Sequence, residues 1–247
     1  TGQAGHRVVQ VGTRSLPLPR GSRSAGPTCP RVAWGNMRGL SPGAAMQSLD
    51  TPLKPPHGYH PVVFLPTGTT VILDLRKTWT PPPTPWSIGR YGEQRGIYTQ
   101  ALFLGDGEAR SVHLGVDLGG PVGVAVHAFA PGRVVYADFL SADGDYGHAL
   151  VCHHELRAQN TACYVLLGHL SKASLARSPV GRTFEAGEVL GWLGDASENG
   201  GWPPHVHVQL SWTDPGGADM PGACRPSEAW RLRALHPDPA LILGALR

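Results

Sequence analysis

The chain has 247 residues, enough for one or two domains, and only 16% are charged, against about 25% in an ordinary soluble protein. Its 33 glycines and 24 prolines argue against a helical bundle or coiled coil and favour many short strands joined by turns, and no stretch approaches the ~18 apolar residues of a membrane-spanning helix. The net charge of +3 is uneven: residues 1–49 hold six arginines and no acid, and from Asp50 onward 15 basic residues face 18 acidic ones, so that part has no Lys/Arg stripe and no nucleic-acid partner is expected.

In chain order, residues 1–49 read as a basic, disordered or targeting-like extension, with Met46 opening the first foldable stretch and no secretory h-region. Residues 50–96 read as a Pro-rich segment with a short β-hairpin, placed over 61–76 around Thr67-Gly68, and 79–87 as a stiff connector. From 97 the pattern becomes continuous β, with strands expected near 97–104, 110–116, 124–129, 132–140, 148–154, 163–168, 188–193 and 205–212. Residues 97–225 therefore form the expected β domain, mainly antiparallel sheet or sandwich. The tail, 226–247, is the one expected helical stretch, interrupted at 236–239. Segments 130–137 and 184–195 share a pattern of a small residue and Gly before alternating apolar positions, as a duplicated β unit would. Cys29, Cys152, Cys163 and Cys224 show no C-x-x-C spacing, and Cys152 and Cys163 read as small buried residues on neighbouring strands.

Chemistry concentrates in histidine, of which there are 12. His113 and Asp117 form H-x-x-x-D, His205 and His207 form H-x-H, and His169 ends a strand in Leu-Gly-His-Leu-Ser. Each pair alone is expected about once in two such chains by chance, so geometry must sharpen the reading. On a strand the two histidines of H-x-H share a face ~6–7 Å apart, so one ion takes one of them and leaves the other beside it. His113 and Asp117 would lie ~13 Å apart in an extended strand. Both bind one ion only if the chain bends between them, and Gly115 allows that bend. Two histidines and one Asp make a tetrahedral zinc set with a vacancy for water, the arrangement of a catalytic site, and the other histidines would flank that water.

His153 and His154 are adjacent, so one should be core and the other solvent-facing. His57 and His60 read as surface residues. Ser111, Ser171 and Ser197 lack a G-x-S-x-G context, and no glycine pattern opens a phosphate-binding helix. Trp202, beside H-x-H, is placed to line a groove.

The stretches 113–128, 132–137, 145–151, 166–171, 184–196 and 199–210 resemble, in order and spacing, the lysostaphin/LytM-type zinc metalloendopeptidases. The resemblance covers some 100 residues near 110–212 and implies a β fold built on the duplicated hybrid motif. It implies one zinc ion on His113, Asp117 and His207, with acid/base or transition-state roles for His169 and His205. It further implies a peptide substrate, of peptidoglycan type or containing Gly or D-Ala, and an extracellular or cell-envelope setting. Leu167 stands where that family usually has Tyr, and Trp202-Pro203-Pro204 where it has Thr-Gly-Pro before H-x-H. Segments 87–98 and 199–209 also resemble a setting in which such a domain is joined to a kinase-like phosphotransferase and an aminotransferase. The alternative reading is a non-catalytic binding or scaffold domain of the same fold.

Overall fold

The structure is a computed structural model that describes residues 47–156 and 160–245. The basic extension expected over 1–49 therefore lies outside the described residues apart from 47–49, as does Cys29. The first strands are β1 (Gln47–Ser48), β2 (Val71–Ile72), β3 (Ser87–Gly89), β4 (Val112–His113) and β5 (Val116–Gly119). They are followed by β6 (Ala125–His127), β7 (Gly132–Leu140), β8 (Gly147–Leu156) and β9 (Thr161–Leu170). The last are β10 (Thr183–Phe184), β11 (Val189–Trp192), β12 (His205–Ser211) and β13 (Ala223–Cys224). Nine of these form one sheet in the order β1-β2-β3-β5-β12-β9-β8-β7-β10, and β11-β6 and β13-β4 form two small ribbons. Every pair is antiparallel except β2 with β3, so the mainly β, antiparallel expectation holds.

Strand parity places the core. Val116, Leu118, Leu150, Cys152, Val165, Leu167, Val206, Val208 and Leu210 all belong to the main hydrophobic cluster. Their sequence neighbours Ala149, Val151 and Leu166 join a smaller cluster with Tyr146, Ala218 and Met220. The inner strands β8 and β9 are thus buried on both faces and read as nearly continuous apolar runs. On β5 and β12 the second face is polar instead, carrying Asp117, His205, His207 and Gln209.

The structure corrects several expectations. Residues 97–104 are not a strand: Ala101–Leu104 is a single helical turn, α1, which has no β-branched residue and stops at Gly105, where φ is 46°. It is held by Phe103 stacked on Tyr98, ring centroids 4.2 Å apart. The hairpin over 61–76 does not form, because 61–66 carries no strand; β2 pairs instead with β1 and with β3. The 110–116 strand breaks at Gly115 into β4 and β5, as the bend between His113 and Asp117 requires. The tail is not the sole helical stretch, since α2 (Lys172–Arg177) precedes it. In the tail, α3 (Ala229–Leu235) and α4 (Ala240–Leu243) flank the expected interruption. β3 pairs with β5, so the sheet runs through both the 50–96 segment and the 97–225 stretch.

Cys152, Cys163 and Cys224 are buried free thiols. Cys152 stands opposite Val165 and Cys163 opposite His154, so the two cysteines do not face each other. His153 is partly exposed, whereas His154 lies between Phe129 and Phe184 with its Nδ1–H donated to the Pro131 carbonyl at 3.1 Å. Burial pushes His154 down to about 4. As pH falls below about 6.5, the unfolded chain takes a proton at this residue before the folded chain does, so stability is lost between about 6.5 and 4, on the order of 3 kcal/mol from His154. Denaturant midpoints measured from pH 7 to pH 4 are expected to fall less steeply in His154→Leu than in the parent; equal slopes would contradict a neutral core histidine.

Candidate metal centre

The site begins with a ladder register. β5 and β12 run antiparallel with Asp117 directly opposite His207, and His207 is in turn opposite Gly168 of β9. Cross-strand partners have Cβ atoms about 4.5–5.5 Å apart, so this register alone brings a carboxylate to an imidazole on the polar face. The Gly115 bend between β4 and β5 then returns His113 to the same point. Gly115 has a second duty, because a Cβ there would lie 2.4 Å from His207 Cε1 and 2.8 Å from the Val208 carbonyl.

Three atoms converge: His113 Nε2 is 3.0 Å from His207 Nδ1 and 3.2 Å from Asp117 Oδ1, and His207 Nδ1 is 3.1 Å from that oxygen. The opposite ring nitrogens are both committed. His113 Nδ1–H donates to the Arg90 carbonyl at 2.9 Å, and His207 Nε2–H donates to Gln209 Oε1 at 3.0 Å. Gln209 is oriented by its own amide nitrogen, which donates to the Pro221 carbonyl at 3.3 Å, so its oxygen must face His207. In neutral rings the converging nitrogens are therefore lone pairs, and the third member is a carboxylate. Burial, with Arg95 nearby, pushes His113 down to about 4, so it does not carry a proton to relieve the contact near neutral pH. Three buried electron-pair donors with no hydrogen among them are mutually repulsive unless a cation lies between them. Tetrahedral zinc, with bonds of ~2.0–2.2 Å, spaces its ligands about 3.3–3.6 Å apart, close to the triangle observed. These three residues are the group of His, Cys, Asp or Glu whose ligand atoms meet closely enough for an ion among the described residues.

Two more imidazoles border the triangle. His205 Nδ1–H donates to the Pro203 carbonyl at 2.7 Å, leaving Nε2 free 3.8 Å from Asp117 Oδ1. His169 Nδ1–H donates to the Asn199 carbonyl at 2.8 Å, and its ring centroid is 4.3 Å from that of His205. Burial above all lowers the pKa of both, and the neighbouring histidines add to the effect. His169 reaches this face through a bulge: Leu167 and Leu170 both lie in the main cluster, and on β8 their partners Leu150 and His148 are one residue closer in sequence. The extra residue turns Gly168 and His169 together onto the polar face, with His169 at φ 62°. The structure thus brings His113, Asp117, His169, His205 and His207 to one place.

Sequence reasoning missed several residues here. Tyr146 packs its ring 5.5 Å from His169 and 5.2 Å from His207, and its hydroxyl donates to Gln209 Oε1 at 3.4 Å. Gln209 was legible, since it continues the alternation of H-x-H onto the same face. Arg95 was not: its Nη1 donates to Asp117 Oδ2 at 2.7 Å from a segment without periodicity. Burial acts to raise Asp117, but Arg95, His113 and His205 outweigh it and hold the carboxyl well below the usual range. Trp202, expected to line a groove, stands with its ring 6.4 Å from His169 and 6.1 Å from Tyr98. Ser171 and Ser197 bond to Ser174 and Asp195 rather than to an imidazole.

Gly115→Ala is expected to displace the His207 ring and to weaken divalent-metal affinity about 10–100-fold, read by competition with a chromogenic chelator. Gly217→Ala, where an added Cβ meets nothing within 4 Å, should leave that affinity unchanged.

Comparison with known proteins follows the same residues. Residues 111–217 match the sequence profile of peptidase family M23. The chain is 32% identical over 98 residues to the DD-carboxypeptidase/endopeptidase Mpg of Neisseria meningitidis serogroup B, and equally to that of Neisseria gonorrhoeae. That alignment covers 40% of this chain and 20% of the relative, so the chain matches about a fifth of the length of these relatives. Among solved structures, the catalytic domain of the antimicrobial peptidase lysostaphin from Staphylococcus simulans is 20% identical, covering 59% of this chain and 92% of its own, with a TM-score of 0.38. The catalytic domain of the prophage-encoded M23 protein EnpA from Enterococcus faecalis, in a variant form, is 23% identical, covering 56% and 86%, with a TM-score of 0.38. All five converging side chains, His113, Asp117, His169, His205 and His207, fall inside the stretch, residues 111–217, that matches the profile of peptidase family M23.

Proposed function

We propose that this chain is a zinc-dependent endopeptidase, with one ion held by His113 Nε2, Asp117 Oδ1 and His207 Nδ1. The observation that carries the reading is the triangle of donor atoms, 3.0–3.2 Å on each edge, with every other polar atom of the two rings already bonded elsewhere. A zinc ion bound there supplies a water acidified to a pKa of ~7 and polarises the scissile carbonyl. The chain's own groups do the rest. His205 and His169 are neutral, and each has its Nδ1–H anchored to a backbone carbonyl. Each therefore presents Nε2 as the atom that takes and returns a proton, His205 nearest the ligand carboxylate and His169 beside it. Tyr146 packs beneath His169 and His207 and fixes their ring planes. Trp202, pinned by its Nε1–H donated to the Gly144 carbonyl at 3.1 Å, forms a flat apolar wall for an extended peptide.

The substrate class proposed is a short peptide of peptidoglycan type, containing Gly or D-Ala. The activity in the relatives' name, DD-carboxypeptidase/endopeptidase, supports this reading and an envelope or extracellular setting. No helix among the described residues is long and apolar enough to cross a membrane.

Demetallated protein is expected to bind one equivalent of zinc and to regain cleavage of Gly-rich or D-Ala-containing peptides with it. His207→Ala should lose the zinc. His169→Ala and His205→Ala should keep it and lose about 10²–10⁴-fold in kcat. Peptide binding without turnover in zinc-loaded parent protein would turn the reading to a binding domain of the same fold.

A further inference from the structure

The two oxygens of Asp117 do different things. Oδ1 faces His113 Nε2 and His207 Nδ1, whereas Oδ2 accepts from Arg95 Nη1 at 2.7 Å. Arg95 is itself fixed. Its side chain is only 4% exposed, its Nη1 also donates to the Tyr98 hydroxyl at 2.9 Å, and its Nε lies 3.5 Å from Glu93 Oε2. Glu93 balances its charge in the same buried pocket and accepts from the Leu75 backbone at 3.4 Å. Room for the guanidinium comes from Gly89, which stands opposite Asp117 in the β3–β5 ladder. A Cβ at that position would lie 2.6 Å from Arg95 Nη2 and 2.7 Å from Asp117 Oδ2.

Resting on the metal reading above, we propose that Arg95 is a positioning residue that keeps Asp117 a one-oxygen ligand, so that the ion retains an open place for water and substrate. A free carboxylate can chelate an ion through both oxygens. If Asp117 did so beside the bound water, the ion would already be five-coordinate and would keep no place for the scissile carbonyl. A charge-assisted hydrogen bond of 2.7 Å occupies Oδ2 and turns it away from the histidines. Arginine suits the duty because it stays charged at every working pH, so the restraint does not open as the site titrates.

The test is cobalt(II) in place of zinc, because four-coordinate cobalt absorbs visible light far more strongly than five-coordinate cobalt. The fully loaded parent protein is expected to show the intense four-coordinate band. The double variant R95M/E93Q, which removes the guanidinium without leaving the Glu93 carboxylate unbalanced, is expected to bind one cobalt, show a severalfold weaker band and lose about 10–100-fold in kcat. Arg95→Lys, which keeps one charged donor, should restore part of the band. A five-coordinate spectrum in the parent overturns the proposal without needing any variant to fold. A parent-like spectrum in R95M/E93Q overturns it too, and leaves the metal reading standing. A parent protein that takes up no cobalt overturns the metal reading and this inference with it.

Discussion

The whole site hangs on one register, Asp117 opposite His207 between β5 and β12. A slip of one residue would turn His205, His207 and Gln209 into the core and send Val206 and Val208 to the polar face. The hydrophobic cluster prevents that slip, since Val116 and Leu118 on one strand and Val206, Val208 and Leu210 on the other are all essentially buried. Packing on one face of the sheet thus fixes chemistry on the other. The fold need not stabilise the donor triangle directly; it needs only to hold the register.

Around that register the chain accepts local costs. His169 sits at φ 62°, a left-handed conformation that costs a non-glycine residue on the order of 1–2 kcal/mol. The hydrogen bonds from its backbone N–H to the Tyr146 carbonyl, from Gly194 N–H to its own carbonyl and from its ring to Asn199 hold it there. Glycine occupies the positions where backbone or ring must approach closest: Gly89 beneath Arg95, Gly115 beneath His207, and Gly168 against Tyr146. Strain and missing side chains therefore gather within one small volume, as expected where geometry serves a ligand rather than stability.

Electrostatics divides the same volume cleanly. Burial lowers the pKa of His113, His169 and His205 and so favours the neutral form that the proposed ligation and proton transfer need. The same burial acts to raise the pKa of Asp117, and Arg95 is the buried group that opposes it most. One fixed cation thus lets a single pocket hold neutral imidazoles and an ionised carboxylate together.

The local pattern of the chain determined a good deal of this. Period-two alternation placed His205, His207 and Gln209 on one face, and Gly115 marked the bend that joins His113 to Asp117. It also gave the long strands near 132–140, 148–154 and 205–212, because their apolar alternation is a property of consecutive residues. What lay beyond it was non-local. Residues 97–104 looked like a strand until Phe103 found Tyr98, and 61–76 looked like a hairpin although β2 takes its partners from either side of that stretch. The bulge that turns His169 outward shows only in its pairing with β8, and Arg95 reaches Asp117 across 22 positions of chain with no periodicity to announce it. Which face a side chain takes follows from its neighbours in sequence, but which groups it meets there depends on strand partners far along the chain, and only tertiary packing chooses those.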